Sequence, residues 1–272
     1  MYDWNMGKML ALCLCLACLS IVGAAHAQDR WVPPPDRATD AVERRALAEL
    51  VQTYDASGGR PGSVAAELSA HASFVLADDA ALAFETARLP AVGARLTPAY
   101  ARTLAQDVEA MSTDARRLAA RYADVRRFGS AQWTVAALVR EAEVYETLAH
   151  ALLAVAYPDD GPQTAAALAA QDVLARQLGP RIEAFESLAI ERDALAARLA
   201  RRAPIDDAFS RASVHGLSRY SEEQVAQVLA RAHAADPSVA LAAPGELVGV
   251  ARGFTFALAD EIGPPLVAPE DP

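Results

Sequence analysis

The sequence predicts an all-α protein of antiparallel helical hairpins, stacked as an irregular solenoid or bundle. Three observations point there. Of 272 residues, 64 are alanine, so much of the 53% hydrophobic content supplies helix propensity and close helix contact, with little bulk for a core. Apolar residues recur at three- and four-residue steps along most of the chain. Strand-length alternation of apolar and polar residues is absent, and β-branched residues are scattered. The same figures exclude some functions. A net charge of −10 argues against a nucleic-acid partner, since phosphate neutralisation needs a basic surface. So high a hydrophobic content also excludes a chain disordered throughout.

The N-terminal segment reads as an address. Lys8, the apolar run 9–22 and the small-x-small site Ala25-His26-Ala27 have the three-part layout of a secretory signal peptide. The run is shorter than the roughly 20 apolar residues of a membrane span. Cys13, Cys15 and Cys18 all lie inside it, so a chain processed after Ala27 has no cysteine for disulfide, thiolate or zinc chemistry. Cys15 stands where a lipoprotein signal carries an aliphatic residue, which favours plain export. Lys8 is the only lysine and Asn5 the only asparagine, a pattern of GC-rich bacterial genomes. The expected location is therefore the periplasm or the exterior. The chain divides into signal peptide (1–27), proline-rich leader (28–36), helical-hairpin domain (37–235) and a Pro/Gly-rich tail (236–272) around an apolar island at 247–258.

Within the domain, residues 40–54 carry Ala41, Leu47, Leu50, Val51 and Tyr54 on one helical face, and Gly58-Gly59 ends the pattern. A second helix spans 63–89, with Asp78-Asp79 as a point of interruption. Thr97 as N-cap and Pro98 as first residue open a third, which Gly129 closes after Phe128. Ser130 caps a fourth that runs through Trp133, Leu138, Val144, Leu148 and Leu152 to Pro158. An alanine-rich fifth follows the turn at 159–162, and Gly179-Pro180 separates it from a sixth over 181–202, striped by Ile182, Phe185, Leu188, Leu195 and Leu199. Asp206 caps a seventh bearing Phe209 and Leu217. Ser221 and Gln224 form a capping-box pattern for an eighth, ending near residue 234. Against the 34-residue tetratricopeptide template, Trp133, Ala137, Ala149 and Leu153 fall near its large and small positions. No turn residue lies between 131 and 156, so one continuous helix fits better than a strict repeat.

Order and spacing from Ala65 to Tyr220 carry a resemblance. Ala65-Ala66-Glu67 leads to Phe74-Val75-Leu76-Ala77 and Phe84. Tyr122-Ala123-Asp124-Val125 comes next, followed by the run from Gln132-Trp133-Thr134 to Leu138-Val139-Arg140, Tyr145-Glu146-Thr147-Leu148-Ala149, Pro158 and Ala184-Phe185-Glu186. Together these resemble the C-terminal helical region of tetratricopeptide-repeat envelope proteins of myxobacteria and related deltaproteobacteria. The chain departs from that pattern at Glu141-Ala142, where the family has a glycine after the arginine, and it lacks the upstream repeat array. The resemblance implies a helical-hairpin interaction region in the cell envelope, with no catalytic residues to carry over.

The residues give little ground for catalysis. His71, His150, His215 and His233 lack the paired ligands that a helical metal site needs, and Glu146 with His150 reads as a polar pair on one face. No serine-nucleophile motif or phosphate loop occurs. No catalytic, metal or cofactor-binding residue is expected, and no cofactor. Glu141, Glu143 and Glu146, beside Arg140, read as a solvated band or as ion pairs to the neighbouring hairpin. The alternative is a carboxylate set acting on cell-wall glycan, and a small-molecule-binding bundle is a third reading. Arg116, Arg117, Arg121, Arg126 and Arg127, like Arg198, Arg201 and Arg202, crowd helix ends, where they complement the dipole or dock an acidic partner. Trp133, large among alanines, is expected to anchor helix packing. Trp133, Arg140, Tyr145, Arg116, Arg117 and Arg121 are the candidate packing or interaction residues. The expected function is that of an exported, non-enzymatic interaction or scaffolding protein of the bacterial envelope with a protein partner.

Overall fold

The computed structural model describes residues 40–85, 98–157 and 165–235, with the single positions 35, 38 and 89. The chain divides into units 1–31 and 32–272, and every described residue belongs to the second. The expected signal peptide, Thr97, the turn at 159–162 and the C-terminal tail lie outside the described residues; the leader does too, apart from Pro35.

Among the described residues there are seven α-helices and no strand: α1 Ala41–Ala56, α2 Val64–Glu85, α3 Pro98–Val125, α4 Ala131–Ala156, α5 Ala165–Arg202, α6 Ala208–Ser218 and α7 Glu222–Ala235. Their ends follow cap chemistry. The Asp40 carboxylate accepts from the Val42 and Glu43 amides at the start of α1, and Ser130 Oγ accepts from Trp133 N at the start of α4. A 3-10 turn, Arg126–Phe128, extends α3 until Gly129 stops it in the left-handed region at φ 73°. Helix α6 is capped by Asp207 in a reciprocal box with Ser210, one residue later than the expected Asp206.

Two expected interruptions are absent. Helix α2 runs through Asp78-Asp79, because Asp78 faces inward and is paired rather than ending the helix. The expected fifth and sixth helices are one 38-residue helix, α5, with Pro180 inside it. A proline here forgoes the bond to the Arg176 carbonyl, at a cost of about 3 kcal/mol. Pro180 sits on the exposed side, so water can satisfy that carbonyl, and Gly179 has no Cβ to crowd the ring. On the opposite side Leu174, Leu178, Ile182 and Phe185 are buried, each worth roughly 1.5–3 kcal/mol, which outweighs the loss.

Paired residues give the topology. Tyr145 stacks on Phe185 and Glu141 bonds Arg192, so α4 and α5 run antiparallel. Phe74 meets Trp133 and Asp78 meets Arg140, so α2 and α4 run parallel. Arg140 meets Phe209 and Glu146 meets Arg219, so α4 and α6 are parallel too. The chain thus folds as the hairpins α1/α2, α3/α4 and α5/α6, with α2, α4 and α6 in contact as one layer. Helix α4 is the centre, with 17 of its 26 residues buried. Alanines supply much of the close contact: Ala66, Ala70, Ala136, Ala137, Ala142, Ala189 and Ala196 are all fully buried. At Gly216 the α6 backbone closes directly onto the buried Asp193 of α5. No described helix is long and apolar enough to cross a membrane.

Candidate functional site

A helix buried on so many sides must pair its charges, because an isolated ion in the interior costs several kcal/mol. Along the middle of α4, Arg140, Glu141, Glu143 and Glu146 do so with four other elements. Arg140 reaches α2, where its Nε lies 3.2 Å from Asp78 Oδ1, and its Nη1 donates to Glu143 Oε2 at 2.7 Å. Tyr122 of α3 donates its hydroxyl to the same Asp78 Oδ1 at 2.7 Å. Burial alone would lower the Arg140 pKa, but the charges of Asp78 and Glu143 outweigh it and raise the value. Burial, with Asp78 beside it, raises the Tyr122 phenol. All of this keeps Arg140 charged and Tyr122 a donor.

At the next residue, Glu141 is 1% exposed and bridges two arginines. Arg126 Nη1 of the 3-10 turn lies 2.8 Å from its Oε1, and Arg192 Nε of α5 lies 2.8 Å from its Oε2. Burial lowers the Arg126 pKa, offset in part by Glu141 and reinforced by Arg192. For Arg192, burial is outweighed by Glu141, Tyr145 and Glu191, so its pKa rises. Tyr145, stacked on Phe185, has its phenol pushed up to about 12, first by burial and then by Glu141 against the two arginines. Farther along, Glu146 pairs with Arg219 at the end of α6.

Comparison with family models, with curated proteins and with solved structures finds no match to this chain. What this cluster can do therefore rests on its own geometry. Glu141 and Glu146 are shielded from water, and each of the three glutamates faces a guanidinium. Carboxylates held so are acceptors of fixed hydrogen bonds, poorly placed to protonate a glycosidic oxygen or to activate water. The set links α2, α3, α5 and α6 to α4. It is the ion-paired form of the expected band, and the solvated form applies only to Glu143, whose side chain is 40% exposed.

The other expected residues separate. Trp133 is half-buried, stacked on His71 with ring centroids 4.4 Å apart and tilted on Phe74. Tyr145 and Arg140 are interior residues. Arg116 pairs with Glu109 on α3, Arg117 with Asp114, and Arg121 is exposed. Arg126 is buried in the Glu141 bridge, whereas Arg127 pairs with Asp55 of α1 and covers the Phe128 ring. No group of three or more potential metal ligands occurs among the described residues. Sequence reasoning missed Asp78, Arg192, Arg219 and Tyr122 as members of the cluster.

A carboxylate outside this cluster makes a pH-dependent contribution. The pKa of Glu186 on α5 is raised by burial and by the charge of Glu183. A raised carboxyl pKa means that the folded state binds the proton more tightly than the unfolded chain. The stability this gives is full below the unfolded value, about 4.3, and is lost as pH rises through the folded one. Glu186→Gln should therefore raise the urea midpoint at pH 7, and the gain should shrink as the pH approaches 4. A lower midpoint at pH 7 would show that the ionised carboxylate is stabilising instead.

Proposed function

We propose that this chain is an exported, non-enzymatic interaction protein of the bacterial cell envelope, a tetratricopeptide-like stack of helical hairpins that binds a protein partner in the periplasm. The observation that carries the reading is an open apolar groove of about 480 Å³ between the end of α5 and α6. Ala200, Pro204, Ile205 and Val214 line it with apolar surface, and its charged lining is Arg201 together with the ion pair of Arg211 and Asp206 at 2.8 Å. Val214 is 58% exposed, an uncovered apolar side chain in a position to meet a partner. A groove of that size suits a few apolar side chains of a helix or strand, with a carboxylate against Arg201.

Three further features support this reading. Residues 1–27 have the layout of an export signal. The order of residues from Ala65 to Tyr220 resembles envelope proteins built on helical repeats. The ion pairs of α4 join the hairpins into a stiff stack, and rigid scaffolds present binding surfaces at low entropic cost. Affinity capture from envelope extracts, with wild type and Val214→Asp side by side, tests it. One protein enriched by the wild type and lost with Val214→Asp is the expected result. Enrichment that ignores the substitution, or none at all, would overturn the groove as the partner surface.

A further inference from the structure

Among the described residues, four arginines are almost completely buried: Arg126, Arg140, Arg181 and Arg192. Three of them sit on a carboxylate, at 2.8 Å, 3.2 Å and 2.8 Å for Arg126, Arg140 and Arg192 respectively. Arg181, on α5 and 5% exposed, does not. Its Nε and Nη1 are sealed from water without a hydrogen-bond partner, and it makes no ion pair among the described residues. The charged groups whose fields reach it are Glu109 and Arg116, both on α3. Glu109 is already engaged, with its Oε1 2.9 Å from Arg116 Nη2, and its side chain is 59% exposed. Helices α3 and α5 both pack on α4 with little contact between them, and across this seam the charge of Arg116 reaches Arg181.

An unpaired buried guanidinium is among the costliest features a fold can carry. Its planar fork matches the two oxygens of a carboxylate or phosphate, and a second arginine alongside adds charge of the same sign. We infer that the α3–α5 seam is an oxyanion site, in which Arg181 takes a carboxylate or phosphate group and Arg116 closes over it. Burial lowers the Arg181 pKa; Glu109 opposes this and Arg116 adds to it, and a bound oxyanion reverses the balance. This site stands apart from the α5–α6 groove and does not depend on the function proposed for it.

Thermal unfolding of the full chain in inorganic phosphate, acetate and chloride at equal ionic strength tests the site. Phosphate or acetate should raise the midpoint over chloride by roughly 2–4 °C. A response to phosphate alone assigns a tetrahedral dianion, and a response to both assigns any oxyanion. In Arg181→Met the response should vanish, while the midpoint in chloride stays at or above that of wild type, since an apolar side chain replaces an unpaired charge. Arg116→Met, altered at a partly exposed position, should keep the fold and raise the half-effective anion concentration by about tenfold or more, the worth of one charge-assisted hydrogen bond. Equal midpoints in all three salts would overturn the site. So would a response retained in Arg181→Met, or a half-effective concentration unchanged in Arg116→Met.

Discussion

Glu141→Ala is expected to cost about 3–5 kcal/mol of unfolding free energy, close to the whole stability of many domains. The substitution removes the carboxylate shared by two almost wholly buried guanidiniums: Arg126 loses its ion pair, and Arg192 loses its 2.8 Å partner while keeping Glu191 at 3.6 Å. Neither can turn to water without pulling the 3-10 turn or α5 away from α4. The same change on a solvated helix face would register within about 0.5 kcal/mol in either direction. Urea unfolding at neutral pH separates the two cases. Replacing Arg126, Glu141 and Arg192 together by apolar residues of similar volume should recover much of the loss, because no charge is left behind.

Gly216→Ala is expected to reverse the usual sign of a glycine-to-alanine change in a helix. Within α6 the exchange would ordinarily add about 1 kcal/mol of stability. Here a Cβ would lie 2.9 Å from Asp193 Cγ and nearer still to its Oδ2. Asp193 is fully buried on α5, so its carboxylate must turn within the packed interior or α6 must lift off. We expect a net loss of about 2–3 kcal/mol. Chemical denaturation measures it, and a stabilised Gly216→Ala would show that the Asp193 carboxylate can withdraw from the α6 backbone.

Both predictions turn on charges that the sequence displays without explaining. The helices themselves were legible, because apolar spacing and end signals such as Ser130 and Gly129 act within a few residues. Pro180 misled, since whether a proline ends a helix depends on which side faces solvent and on how much apolar surface lies opposite it. Asp78-Asp79 misled in the same way. Two adjacent acids read as a polar break until Asp78 is seen against Arg140 and Tyr122, residues 62 and 44 positions away in sequence. A local signal did exist. Asp78 follows the apolar run Phe74-Val75-Leu76-Ala77, and Arg192 continues the stripe of Ile182, Phe185 and Ala189 at helical spacing. A charge in an apolar register announces a buried pair, but its partner lies on another helix and only the fold supplies it. Arg181 shares that register and differs only in having no partner among the described residues, which no sequence pattern could reveal.

The charges of α4 are expected to bind the hairpins into one unit. A double-mutant cycle on Glu141→Gln and Arg192→Met, read by urea unfolding, tests it most directly. A coupling energy of about 2–3 kcal/mol is expected between the two sites, with the double variant more stable than the sum of the single losses implies. Losses that add to within about 0.5 kcal/mol would contradict it, because Glu141 and Arg192 would then contribute separately and α5 would be held to α4 by apolar packing alone.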